Sequence, residues 1–169
     1  MAVKGAIENT GDMDVVDSLN VHLEITIAAS PQKVFEALTT DIAAWWGSPF
    51  IKRRDANTIV LEPKVGGRLY EVYGENEGAL WGMVSSIRND EELCLTGSMG
   101  MPEPTYGAVT FTLAPQGDST QVKLTHSAFG RISAERKGCY TEGWKDLLDV
   151  RLRAFVEQDV RTGIDARSA

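Results

Sequence analysis

The chain has 169 residues, 43% hydrophobic and 24% charged, a composition that excludes a disordered or fibrous protein. A single core serves such a length, so one domain is expected over residues 20–160, between a flexible leader at 1–19 and a flexible tail at 161–169. The net charge of −7 argues against nucleic acid, whose binding needs a clustered basic surface, and Lys52-Arg53-Arg54 is the one basic run.

Met1 to Asn20 holds no apolar run of signal-peptide length, and no later stretch reaches the roughly 20 residues of a membrane span. A cytoplasmic location follows as the expectation. Cys94 and Cys139 stand far apart, without the paired spacing of a zinc site, and each reads as a small buried hydrophobe. No cofactor or metal is expected. Two histidines cannot build a multi-His centre, and neither a Gly-x-Ser-x-Gly elbow, a phosphate-cradling glycine loop nor a His-Glu-x-x-His pair is present.

Order is expected to begin at Val21. Val21, Leu23, Ile25 and Ile27 alternate with His22, Glu24 and Thr26, the period of a half-buried strand, which turns His22 outward. Ser30 supplies an N-cap and Pro31 the first helical position, with Ala29 and Val34 placed as a hydrophobic staple. That helix carries Val34, Phe35 and Leu38. A short second turn over Asp41 to Trp46 stops at Gly47 and Pro49.

Six strands follow: Asn57 to Glu62, Arg68 to Tyr73, Ala79 to Ile87, Glu92 to Thr96, Ala108 to Leu113 and Thr120 to His126. The intervening Gly, Asn, Asp and Pro clusters are hairpin-length, which predicts an antiparallel meander and leaves no room for crossover helices. After Phe129-Gly130 the period changes. Ser133 caps a helix running to Gln158, on which Tyr140, Trp144, Leu148, Leu152 and Phe155 form an apolar stripe widened by Leu147, Val150 and Val156. Such a helix must bury its face on the sheet, so the class is α+β, with a pocket expected between helix and sheet. Gly138 and Gly143 inside it suggest close backbone approach or room beside Trp144, unless they are simply tolerated.

Ala29-Ser30-Pro31 with Val34, Phe35, Ala37, Leu38 and Thr39, followed by Trp45-Trp46, resembles the opening of the START-like (Bet v, SRPBCC) helix-grip superfamily. Glu62-Pro63, Gly66-Gly67-Arg68, Tyr70-Glu71, Gly82, Leu124-Thr125-His126 and Gly143-Trp144 narrow the likeness to the branch similar to the C-terminal domain of the activator of heat-shock protein ninety ATPase. The resemblance covers Val21 to Gln158. It implies a curved antiparallel sheet gripping a long C-terminal helix, two short helices after the first strand, and an apolar cavity. It does not supply an activity, because that fold hosts carriers, cyclases, receptors and co-chaperone modules.

The expected function is non-catalytic binding of a small hydrophobic or amphipathic molecule, as in a stress-associated protein. The candidate wall is Trp45, Trp46, Trp81, Met83, Met99, Met101, Phe111, Trp144 and Leu148, with Glu71 and His126 as polar anchors. Glu71 and His126 also read as a structural pair, with Arg68 as another partner for Glu71. Trp45 and Trp46 diverge by about 100° on a helix, so one should be core and the other should reach the pocket mouth or a partner surface. Trp144 is expected to be pure core. Met99 to Pro104 suits either a lid or an ordinary connection. Two other classes remain: a co-chaperone-like interaction module, marked by an exposed patch on the convex face or around Trp45, and a polyketide cyclase or aromatase-like enzyme using Glu71 and His126. A chaperone partner and a homodimer are both allowed.

Overall fold

The computed structural model describes residues 16–168. The alternating apolar sets build one seven-stranded antiparallel sheet in the order β1-β7-β6-β5-β4-β3-β2. Its strands are β1 (Val16–Ile27), β2 (Thr58–Leu61), β3 (Arg68–Gly74), β4 (Glu77–Arg88), β5 (Glu92–Gly97), β6 (Thr105–Gln116) and β7 (Ser119–Arg131). The inner face carries Leu19, Val21, Ile25 and Ile27 of β1, Val109, Phe111 and Leu113 of β6, and Val122 and Leu124 of β7, all buried. The curved sheet with its long C-terminal helix is the expected α+β helix-grip architecture.

The strands outrun their expected limits. β1 starts at Val16, because β7 extends to Arg131 and pairs with it there. Four residues assigned to the leader are therefore strand, and the rest of that leader, residues 1–15, lies outside the described residues. In β6 the strand runs through Gly107, which faces Ala128; a Cβ at Gly107 would sit 2.4 Å from the Ser127 carbonyl oxygen. Only glycine allows that approach.

Two short helices follow β1. In α1 (Pro31–Leu38) the Ser30 hydroxyl accepts from the Lys33 backbone N–H at 3.3 Å, and Val34, Phe35, Ala37 and Leu38 are buried. α2 (Ile42–Trp45) is one turn long. Trp46 leaves it in an extended conformation, φ −89° and ψ 119°, so the two tryptophans diverge more sharply than on one helix.

The final rod is α3 (Ala134–Lys145), a π-helical segment Asp146–Leu152, and α4 (Arg153–Gln158). Ser133 caps it, its hydroxyl accepting from the Arg136 N–H at 3.2 Å. Residues four apart drift by about 40° per step on an ideal α-helix. The wider π turns offset that drift. Trp144, Leu148, Leu152 and Val156 consequently all stay buried, whereas Val150, expected on the stripe, is 58% exposed. Gly143 lies close under Phe50, while nothing approaches Gly138.

The tail does not hang free beyond residue 160. Thr162 and Gly163 donate backbone N–H bonds to the Ala44 carbonyl at 3.1 and 2.9 Å, Ile164 donates to that of Trp46 at 3.2 Å, and the Ile164 side chain is buried. A Cβ at Gly163 would lie 2.1 Å from the Ala43 carbonyl oxygen. Gly163→Ala should therefore lose about 2 kcal/mol in urea unfolding. An unchanged midpoint would mean that this docking contributes nothing to the fold.

Candidate functional site

Trp46 is the centre of the site. Its extended backbone turns the indole away from α2, and its Nε1 donates to the Phe50 carbonyl at 2.6 Å. The rings of Trp81 and Trp144 each stand edge-on to it, with centroids 5.6 Å away and interplanar angles of 82° and 83°. This is a favoured aromatic arrangement.

Two polar side chains behind the wall hold the flanking indoles. The Glu71 carboxylate, wholly buried, accepts from Trp81 Nε1 at 2.8 Å and from the backbone N–H groups of Lys52 at 2.7 Å and Arg53 at 3.3 Å. One carboxylate thus fixes both a tryptophan and the loop after α2. Burial, then the charge of Glu71, pushes the nearby Tyr73 hydroxyl up to about 12. His126, also wholly buried, accepts at Nδ1 from Trp144 Nε1 at 3.0 Å, which places its proton on Nε2. Nε2 finds no hydrogen-bond partner among the described residues. Burial lowers the His126 pKa to about 4 and pushes the Tyr140 hydroxyl up to about 12.

The loop after β5 closes the remaining side. Met99 donates its N–H to the Trp81 carbonyl at 2.8 Å and accepts from the Tyr140 hydroxyl at 2.9 Å. Gly100, at φ +82°, lies flat under the Trp81 ring, where a Cβ would come within 2.6 Å of it. Loop and ring are therefore in direct contact.

These elements border an open cavity of about 730 Å³, within the range of small-molecule sites. Trp46, Trp81, Trp144, Met99, Phe50, Ile51, Tyr140 and Leu147 line it, and Pro49, Lys52, Cys139 and Glu142 form an exposed mouth. Asp146, Gly100 and Gly143 complete the lining.

Of the expected wall, Trp46, Trp81, Met99 and Trp144 meet at this cavity. The others do not. Trp45 is core, its Nε1 donating to the Ala37 carbonyl at 2.8 Å, and Met101, Phe111 and Leu148 are buried away from the lining. Met83 is 43% exposed and faces the other side of the sheet, because a β-bulge at Trp81, where the pairing steps from Leu69–Gly82 to Tyr70–Leu80, reverses the alternation along β4. Glu71 and His126 do not pair with each other or face the cavity; each holds a different tryptophan. Arg68 pairs with Glu62 at 2.7 Å instead. Trp144 is buried but gives the cavity one of its surfaces, so it is not pure core.

Both cysteines depart from expectation: Cys94 is partly buried, and Cys139 is exposed at the mouth. Residues 49–52 and the polar side of α3 were missed. Cys139, Gly143 and Asp146 recur at helical spacing beside the Trp144 stripe, and that run of small and polar residues was the available signal. Among the described residues no group of three or more His, Cys, Asp or Glu could hold a metal ion.

Two outcomes test this wiring. Glu71→Gln keeps the volume but turns an amide NH₂ toward N–H donors, so stability should fall by about 2–3 kcal/mol and tryptophan emission should shift to the red. Unchanged emission would uncouple Glu71 from Trp81. For His126, the unfolded chain takes a proton near pH 6.5 and the folded protein only near 4. Its contribution is therefore full above pH 6.5 and lost as pH falls to about 4, a total of roughly 3 kcal/mol. Urea unfolding at several pH values should show this slope in the wild type and not in His126→Gln; equal slopes would refute it.

Three comparisons place the chain among known proteins. Among solved structures it resembles the Aha1 dimer from Colwellia psychrerythraea, at 25% identity and TM-score 0.61 over 83% of this chain and 97% of that one. It also resembles protein MLL2253 from Mesorhizobium loti, at 20% identity and TM-score 0.60 over 82% and 97%. DynU16, a protein of the dynemicin biosynthetic locus, matches at 21% identity and TM-score 0.58, over 85% of this chain and 49% of that one. No curated protein matches significantly. A family model described as activator of Hsp90 ATPase homolog 1-like protein matches residues 28–157. The match spans most of the chain, which therefore belongs to the activator of Hsp90 ATPase homolog 1-like family, a branch of the START-like helix-grip proteins.

Proposed function

We propose that the cavity receives a small apolar or amphipathic molecule without transforming it. The observation that carries this reading is a recess of about 730 Å³ with three buried indoles at its floor, each N–H tied to an acceptor, so that the lining offers a ligand mainly apolar surface. Apolar ligands are favoured in such sites by area removed from water.

The cyclase-like reading needs an acid or base reaching the substrate. Glu71 is engaged by three N–H donors and His126 by Trp144, neither lining the cavity, which argues against catalysis by that pair. The two free thiols support a reducing, cytoplasmic setting, and no helix among the described residues is long and apolar enough to cross a membrane.

A second reading, an interaction module, has an observation of its own. Val16, Leu80, Met83, Tyr106 and Phe129 are exposed together along a groove on the outer face of the sheet. Contiguous exposed apolar surface marks interaction sites. A related protein is an Aha1 dimer, so a second copy or a chaperone is the partner to test.

Naphthalenemethanol should quench tryptophan emission of the wild type saturably. Cys139→Trp, which plugs the mouth at an exposed position, should abolish the quenching while leaving the unfolding midpoint intact. Native mass spectrometry should in addition find a retained small molecule in freshly purified protein. Quenching that survives the plug would place the ligand elsewhere. For the outer groove, Phe129→Asp should abolish any self-association seen by sedimentation velocity and leave naphthalenemethanol binding unchanged.

A further inference from the structure

The charges around the mouth do not cancel. Glu142 is matched by Lys145, with Nζ 3.0 Å from Oε1, and Asp146 by Arg151, with Nε 2.8 Å from Oδ2. Arg151 is held further by the Ser48 carbonyl at 3.1 Å and by the Phe50 ring, 4.9 Å from its guanidinium carbon. Both carboxylates at the cavity are therefore engaged by cations of the same helix. Lys52 is different: it lines the cavity, its side chain is exposed, and it makes no ion pair among the described residues. Glu71 makes no contact with its ammonium: that carboxylate is wholly buried and takes the backbone N–H of Lys52.

The backbone of Lys52 is held in place. The bond from its backbone N–H to the buried Glu71, at 2.7 Å, sets where the side chain begins, and the neighbouring Phe50 and Ile51 line the same cavity. A chain of net charge −7 thus presents an unmatched cation beside an aromatic wall. Uncompensated anions would be repelled by the protein at large, so a local ammonium at the opening is the feature that admits one.

Resting on the cavity reading above, we infer that the ligand is an amphipathic monoanion, a small carboxylic acid whose apolar body lies among Trp46, Trp81 and Trp144 and whose carboxylate meets Lys52 at the mouth. One unmatched positive charge suits one negative charge. A cationic amphipath would have to share Glu142 and Asp146 with Lys145 and Arg151, which already offset those charges.

Three probes of one body and different charge decide this: naphthoate, naphthalenemethanol and naphthalenemethylamine, titrated into wild type and Lys52→Met by tryptophan quenching. Methionine keeps the aliphatic stem at an exposed site, so the variant should fold, and its unfolding midpoint provides the check. Naphthoate should bind the wild type about fivefold more tightly than the alcohol, lose about that factor in Lys52→Met, and weaken with added salt. The alcohol should bind both proteins alike. If the alcohol binds but naphthoate binds no tighter, or if Lys52→Met leaves naphthoate unchanged, the charge preference is overturned and the cavity reading stands. Tightest binding of the amine overturns it in favour of Glu142 and Asp146. If none of the three binds, the cavity reading falls and this inference with it.

Discussion

A buried indole N–H must find an acceptor, and in this protein the acceptors decide where each tryptophan stands. Four tryptophans carry four such donors, answered by the carbonyls of Ala37 and Phe50, the carboxylate of Glu71 and the imidazole of His126. An unanswered donor would cost a few kcal/mol, a large share of a small domain's net stability. The rings are held by these bonds and by edge contacts with one another, so they form a set wall beside the recess.

Glu71 shows how one residue joins distant parts of the chain. It sits on β3, yet its three donors come from the loop after α2 and from β4. A buried carboxylate is tolerable only when such donors surround it. The same bonds that make its burial acceptable set the loop against Trp81, and the cavity mouth is formed by that loop. Stability and site architecture therefore depend on one group.

The π-helical segment serves a related purpose in the rod. An uninterrupted α-helix would carry a four-residue stripe progressively around its axis, turning Leu152 and Val156 off the sheet while Trp144 faced it. With the wider turns at Asp146–Leu152, one apolar line runs from the cavity to α1. The exposed Val150 is the visible consequence. On the opposite side of the sheet, Leu80, Met83, Tyr106 and Phe129 are exposed, so the described residues offer two unlike surfaces: a recess floored by indoles and an outer apolar groove.

Much of the fold is legible in the residues because it rests on local periodicity and capping. The alternation of β1, the Ser30-Pro31 start of α1, the Ser133 cap and the apolar stripe each act within a few residues, and together they dictate an antiparallel sheet covered by one rod. The limits of β1 and β7 and the docking of Gly163 and Ile164 are not local, since they depend on partners more than a hundred residues away. The site divides in the same way. Aromatic content near the helix pointed to Trp46, Trp81 and Trp144, but Trp45 and Met83 differ from them only in direction, which α2's abrupt end and the β-bulge at Trp81 on β4 determine. Glu71 and His126 were recognisable as buried polar residues, whereas their separation onto two different indoles required the packed chain. The amino-acid order by itself determined which faces are apolar; tertiary packing decided which residues stand at the hollow, because hydrogen-bond partners and free volume are properties of segments brought together from across the chain.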